Sequence, residues 1–287
     1  MRTYTHNNRT QQIINYYHTW ESRVLYSLIL RGTKHFGYYP QNKFLPLFQA
    51  LRLMEDKLAE KLALPPNSLI LDAGCGEGNV AIYLSKNYSY RIKGIDILNF
   101  NIQKANQKKE KFNLHKQLEF FVGDYTLLQF PSEMFDAVYT METLVHATNY
   151  TQALKAFYRV LKPDGRLVLF EYSISSKTHA TQDLRQLMKM IIEASGMHAL
   201  PHFEHGVYSR ILKQAGFTHV SVEDITSKVL PFLQTFYYFA LIPYQIIKLL
   251  KLQRQFVNTT SVIEGYRHIP QHHYWRYNII SARKSAV

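Results

Sequence analysis

Three glycines and three acids in the first half of the chain have the types and spacing of a nucleoside site. The run Leu69-Ile-Leu-Asp-Ala-Gly-Cys-Gly-Glu-Gly78 sets glycines at alternate positions where an apolar strand gives way to an expected helix. Glycine lets the backbone approach a ligand closely, and an acid just before the turn grips a cationic or hydroxylated group. A dinucleotide loop would want glycine at Asn79, and a pyrophosphate would be repelled by Asp72. The ligand expected here therefore lacks phosphate at that loop. Asp96 closes the next strand, 22 residues after Gly74, where an acid hydrogen-bonds ribose hydroxyls. Gly123-Asp124-Tyr125 closes the third, offering a carboxylate to an exocyclic amine and a ring to lie on a base. Cys75 reads as a small filler, because nothing near it in sequence would activate a nucleophilic thiol.

These groups need strand ends to hold them. Alternating signals supply the strands: Ser68 to Asp72, Arg91 to Ile97, Leu118 to Val122, Phe135 to Thr140 and Arg166 to Tyr172. Between them Asn79 to Asn87, Asn101 to Phe112 and Tyr150 to Leu161 carry helical periodicity. Such βαβ alternation implies a parallel sheet covered on both faces, with ligands bound beyond the carboxyl ends of the strands. Further on, Thr181 to Ala194 and Tyr208 to Ala215 read as helices, and His219 to Ile225 and Tyr274 to Lys284 as strands. The expected organisation is a helical N-terminal lid over 1–61, a core over 62–225, an aromatic and basic lid insertion over 226–273, and a last core strand over 274–287. In fold class this is α/β: a doubly wound, mainly parallel, seven-stranded sheet, with a helical N-terminal segment and a helical insertion before the last strand.

The 287 residues are 46% apolar and 19% charged, which excludes a disordered or fibrous chain. The single cysteine excludes an intramolecular disulfide and a thiolate zinc site, and the first residues lack the apolar stretch of a secretion signal, so a reducing cytoplasm is expected. The net charge of +13 is uneven. Basic residues outnumber acids nine to four over 1–61 and eight to one over 226–287, while 62–225 holds 17 against 16. Basic flanks suit an anionic surface: nucleic acid, acidic lipid or a phosphorylated substrate. Within the insertion, Val229 to Ile247 is a 19-residue run without charge, rich in aromatic rings and followed by Lys248, Lys251 and Arg254. Pro231, Pro243, Gln234 and Gln245 argue against a membrane span and for an interfacial or lid helix.

A second reactive segment, Tyr139-Thr-Met-Glu-Thr-Leu-Val-His-Ala147, follows the fourth strand. Glu142 and His146 are four apart and share one face if the segment is helical. His198, His202 and His205 with Glu204 have metal-like spacing, but Pro201 breaks the helix that would align them, so a pocket wall is expected and no metal. His268, His272 and His273 read as a surface turn near Pro270, with Arg267 available to a diphosphate-bearing substrate.

The ordered series Asp72-Ala-Gly-Cys-Gly-Glu-Gly78, Asp96, Gly123-Asp124 and Leu161-Lys-Pro-Asp-Gly165 resembles the motifs of class I S-adenosylmethionine-dependent methyltransferases, over about residues 60 to 175. The resemblance implies S-adenosyl-L-methionine as cofactor in a Rossmann-like methyltransferase fold. It places Asp72, Gly74 and Gly76 at the methionine part, Asp96 at the ribose, and Asp124 with Tyr125 at the adenine, with Cys75, Ile97 and Gly123 as further cofactor contacts. Met141, Tyr17 and Tyr39 are further expected contacts. Sterol 24-C-methyltransferases and related isoprenoid C-methyltransferases have a similar Glu and His after the fourth strand. His35-Phe-Gly-Tyr-Tyr39, with Tyr16, Tyr17 and Trp20 before it, looks like the amino-terminal segment of that broader group.

The expectation is methyl transfer to a small apolar acceptor, foremost C-methylation of an isoprenoid or sterol-like alkene. Methylating an alkene creates a carbocation, which needs negative charge or aromatic faces and a base to remove a neighbouring proton. Glu142 and His146 fit those catalytic roles, and His35, Tyr38, His205, Phe236 and Tyr237 are the expected substrate contacts. O- or N-methylation of a phenol, quinone or amine is the alternative. RNA methylation lacks the usual Asn/Asp-Pro-Pro-aromatic tetrad, so no nucleic-acid partner is expected, and a cofactor-binding scaffold is the non-enzymatic reading. A membrane surface and a second copy of the chain complete the expected partners.

Overall fold

The apolar run before the glycine loop becomes the centre of the sheet. The computed structural model describes residues 8–40, 45–175, 181–272 and 274–286. Strand β1 (Leu69–Ala73) pairs in parallel with β2 (Arg91–Asp96) and β4 (Phe135–Met141). With β3 (Leu118–Val122), β5 (Leu161–Ile174), β6 (Phe217–Asp224) and β7 (Trp275–Lys284), the order is β3-β2-β1-β4-β5-β7-β6. Strand β7 is antiparallel to both its neighbours, and the other described pairings are parallel. This is the doubly wound, seven-stranded sheet expected from the βαβ rhythm.

Central strands are buried on both faces, and the period-two alternation of side chains divides their residues between two cores. Leu71, Ala73, Val138, Leu167 and Leu169 face one apolar cluster; Ile70, Ala137, Tyr139, Val168 and Phe170 face the other. The N-terminal part contributes α1 (Asn8–His18), α2 (Trp20–Arg23) and a π-helical stretch, Val24–Ile29. Then follow α3 (Leu47–Leu62), α4 (Asn79–Tyr88), α5 (Asn99–Lys111), α6 (Tyr150–Val160), α7 (Gln182–Ala194) and α8 (Val207–Gln214). Helices α3, α4 and α5 cover one face through Met54, Leu58, Ala81, Leu84 and Ala105. Helices α6, α7 and α8 cover the other through Leu154, Phe157, Met188, Ile211 and Leu212.

The insertion folds as two helices, α9 (Thr226–Leu249) and α10 (Val257–His272). Helix α9 runs through both Pro231 and Pro243, and no helix of the described residues is long and apolar enough to cross a membrane. The expected turn at His268 is instead helical, and the segment to His272 continues α10; His273 lies outside the described residues. Glu21 fastens the N-terminal segment to this insertion, since its carboxylate accepts the Asn258 and Thr259 N–H groups at 2.8 and 2.7 Å. Those donors at the start of α10 have no partner inside their helix, and a carboxylate there also meets the positive end of the helix dipole.

Candidate active site

Two cavities meet at the carboxyl ends of the strands. The first is an open cleft with about 960 Å³ of empty space, bounded by the glycine loop and the tips of β1 to β4. It is lined by Asp72, Gly74, Cys75, Gly76, Asp96, Ile97, Gly123, Asp124, Tyr125, Met141, Glu142, His146 and Tyr17, so most of the expected site residues converge there.

Backbone geometry explains the loop. Gly74 has φ +94°, and a Cβ added there would lie 2.6 Å from the Thr143 side chain. Glycine is required at that position by both conformation and space. Gly76 donates its N–H to Asp96 Oδ2 at 2.9 Å, and Asp96 Oδ1 accepts from Leu98 N at 2.8 Å and Asn101 Nδ2 at 3.1 Å. Asp96 therefore shapes the loop as well as facing the cleft. Asp124 Oδ1 caps the turn after β3 by accepting from Thr126 N and Oγ1 at 2.8 and 2.7 Å. Tyr125 donates to the Thr143 carbonyl at 2.7 Å. The Cys75 thiol is buried and pushed up by that burial, in keeping with a packing role.

Asp72 has a different environment. Its Oδ2 is buried without a hydrogen-bond partner. Burial pushes the carboxyl up to about 7, against the pull of the neighbouring Tyr139 hydroxyl. A buried, unpaired acceptor at a glycine cradle fits a ligand that brings its own cationic N–H donor. The set of Asp72, Asp96 and Asp124, each at a strand tip, fits an amino-acid nucleoside.

Glu142 and His146 do not share a helical face. Glu142 has φ +61°, and only a short 3-10 turn, Leu144–His146, follows. A left-handed conformation at a non-glycine residue stores strain of order 1 kcal/mol and occurs where the surroundings over-determine it. Here three donors do so: Phe36 N at 2.7 Å, Tyr277 Oη at 2.8 Å, and the Tyr172 hydroxyl in a short contact. Burial raises the Glu142 pKa while these donors and His35 oppose the shift. His146 donates from Nδ1 to the Gly196 carbonyl at 3.1 Å, leaving Nε2 to face the Tyr17 hydroxyl at 3.4 Å. Burial drives its pKa down to about 4, so the ring is neutral at neutral pH.

The second cavity is a partly open chamber built by the N-terminal segment and the insertion; its empty space, open solvent at its mouth included, is about 1740 Å³. Its walls include Tyr26, Phe36, Met188, Phe232, Phe236 and Trp275. Lys34, His35 and Glu142 line both cavities and form the throat between them.

Several expected contacts lie elsewhere. Tyr39 is 2% exposed and packs with Leu30, Leu51 and Phe232, away from the cleft, because its ring fills the joint between lid and core. Tyr38 lies beneath the Lys57 ammonium, and Tyr237 packs in a tilted contact against Tyr266; neither lines either cavity. His205 Nδ1 is 2.8 Å from Ser173 Oγ, outside both linings. His198 and His202 are not wall residues; Met197 and Leu200 take that place in the chamber. No group of three metal-donor side chains occurs among the described residues. Arg267 lies beside Glu264 at 3.4 Å, which competes with any diphosphate. Of the expected substrate contacts, His35 and Phe236 reach the chamber.

Sequence reasoning missed Glu171, Tyr172, Tyr277 and Lys34. Glu171 is fully buried; Oε1 accepts from Thr140 Oγ1, Thr143 N and Leu144 N at 2.8, 3.0 and 2.7 Å, and burial raises its pKa to about 8. The signal was an acid inside an apolar central strand, where charge is unfavourable without a dedicated role.

A protein-family profile described as a methyltransferase domain matches residues 71–169. An S-adenosyl-L-methionine-dependent Diels-Alderase of Talaromyces variabilis is 37% identical over 279 residues, which span 95% of this chain and 94% of that protein. The chain belongs to the S-adenosyl-L-methionine-dependent methyltransferase family. Its cofactor is S-adenosyl-L-methionine. A sterol 24-C-methyltransferase of Gibberella zeae is 29% identical over 196 residues, covering 68% of this chain and 50% of that one. Among solved structures, the 4+2 cyclase SpnF superposes with a TM-score of 0.76 at 21% identity, covering 98% of this chain and 97% of that chain; this likeness concerns the fold. The methyltransferase fold thus carries more than one chemistry among this family's relatives.

Proposed function

We propose that this chain uses its cofactor cleft and apolar chamber together to catalyse Diels-Alder cyclisation of a linear, largely apolar polyene. One observation carries the reading: the Talaromyces variabilis relative matches across 95% of the chain, so the match extends through the lid segments that wall the chamber. The sterol methyltransferase matches over 68%. In the cleft, Asp72 is assigned to the ammonium of the cofactor, Asp96 to the ribose, and Asp124 with Tyr125 to the adenine.

Cycloaddition joins a conjugated diene to an alkene, converting two π bonds into two carbon–carbon σ bonds and shifting the third. No proton moves and no group leaves, so a dedicated base is unnecessary. The protein must hold a folded near-attack conformer and exclude water, a task suited to the rings of Phe36, Phe232, Phe236 and Trp275. Bound S-adenosyl-L-methionine would supply a sulfonium cation near the throat. Glu142, held by three donors, fixes the throat instead of abstracting a proton.

The second reading is C-methylation of an isoprenoid or sterol-like alkene. It is favoured by His146, whose neutral Nε2 lines the cleft and could accept a proton from a carbocation. One experiment separates the two. The protein is incubated with a linear polyene bearing a conjugated diene and an electron-poor alkene, together with cofactor labelled in its methyl group. Cyclisation yields an unlabelled isomer of the substrate, formed faster than without protein and without accumulation of S-adenosylhomocysteine. Labelled product gained in step with S-adenosylhomocysteine would replace this reading by the second.

A further inference from the structure

Helix α9 leaves an apolar face open to solvent. Tyr238, Phe239, Ile242, Ile246, Leu249 and Leu250 are 62%, 78%, 78%, 57%, 81% and 57% exposed. At about 100° per residue their spacing confines them to an arc of about 120°, one face of the helix. The opposite face is spoken for: Val229, Phe232, Leu233, Tyr244 and Ile247 are buried. Soluble chains rarely expose so continuous an apolar strip without a partner for it.

Two further observations say what that partner is. Lys248, Lys251 and Arg254 are exposed at the same end of the helix, and 226–287 holds a single acid. The strip also continues into the mouth of the chamber. Phe239 lines the chamber, as do Trp20 and Ile29, which are 73% and 45% exposed and arrive from the N-terminal segment. A basic cluster beside an apolar helical face, with aromatic rings at the edge, matches the headgroup boundary of an anionic bilayer. No described helix can span, so the helix lies on the surface.

We propose that α9 with Trp20 and Ile29 docks the chamber mouth on an anionic lipid surface, from which apolar substrate enters without crossing water. The face of Ile242, Ile246 and Leu249 enters the acyl boundary, while Lys248, Lys251 and Arg254 meet phosphate or carboxylate headgroups. Docking needs no substrate and no turnover, so its failure would leave the cyclisation reading standing.

The test is co-sedimentation of the full chain with vesicles of phosphatidylcholine alone and of phosphatidylcholine with phosphatidylserine, at low and high salt. The expected result is stronger binding to the phosphatidylserine vesicles, weakened by salt. The double variant Ile242→Glu/Leu249→Glu should lower the partition coefficient by about tenfold or more. Replacing Lys248, Lys251 and Arg254 by Gln should remove the preference for phosphatidylserine. Those positions line neither cavity, so melting temperature and cofactor affinity should stay at the parent values and certify folding. Failure of the parent chain to sediment, or unchanged binding by the folded double variant, would overturn the proposal. So would light scattering that finds a lipid-free dimer dissociated by Ile242→Glu, because the strip would then belong to a second copy.

Discussion

The backbone N–H of Phe36 donates to the carboxylate of Glu142 at 2.7 Å, tying the N-terminal segment to the tip of β4. That bond crosses the boundary between the two cavities, since Phe36 walls the chamber and Glu142 faces both. Tyr172 from β5 and Tyr277 from β7 donate to the same carboxylate. Four separate parts of the chain thus share one acceptor, and the throat is as rigid as that carboxylate's environment.

Glu142→Gln should loosen the throat while leaving the cofactor cleft in place. An amide keeps one acceptor oxygen and turns an NH2 toward groups that donate, so a loss of about 1–3 kcal/mol of stability is expected. Turnover should fall more than tenfold, with cofactor affinity within about twofold of the parent. Calorimetry and product assays check both, and equal turnover would remove Glu142 from the machinery.

Asp96→Ala should weaken cofactor binding by about 10- to 100-fold without unfolding the chain. It removes the assigned ribose acceptor and also releases the Gly76 and Leu98 N–H groups that shape the loop. Titration calorimetry measures the effect, and an unchanged affinity would mean the ribose is held elsewhere.

Cofactor affinity should rise with pH. The Asp72 carboxyl is held up to about 7 in the ligand-free fold, and a cationic ammonium favours its ionised form. Below about 7, binding must release a proton, so affinity should increase by up to about tenfold per pH unit and level off above that value. In the ligand-free chain the sign is opposite for stability. Because the folded pKa is raised, Asp72 contributes less to stability as pH climbs from its ordinary value of 3.8 toward 7. Calorimetry in buffers of different ionisation enthalpy counts the proton, and Asp72→Asn should flatten the profile.

Glu171→Ala should destabilise the chain by about 2–4 kcal/mol, because it strands the N–H groups of Thr143, Leu144 and Val145, the last two buried. Thr143 packs against Gly74 and donates to the Ala73 carbonyl at 2.7 Å, so cofactor affinity should fall as well. Glu171→Gln keeps an acceptor and should recover much of the loss in a thermal melt.

The sheet and most of the cleft were legible in the sequence because their signals are local. A short apolar run, glycines at a turn and an acid at a strand end are each written within a few residues. The strand sites at Asp72, Asp96 and Asp124 converge because parallel pairing aligns strand tips, with Asp72 beside Gly94 and Asp96 beside Val122 in register. Tyr38, Tyr39, His205 and Tyr237 fall outside the two cavity linings for the converse reason. Their surroundings come from distant segments, and an aromatic ring near the site in sequence can satisfy itself against another ring or a lysine stem.

By itself, then, the amino-acid order determined the α/β core, its cofactor class and the carboxylates at the strand tips, since each depends on neighbours a few positions apart. Only the tertiary structure decided that Glu142 is locked by Phe36, Tyr172 and Tyr277, and that the N-terminal segment and the insertion enclose one chamber. Phe36 and Tyr277 lie more than a hundred positions from Glu142, and Tyr172 lies 30 positions away on the next strand. Those relationships depend on how two lids pack across the sheet, a matter of shape and burial that no short pattern encodes.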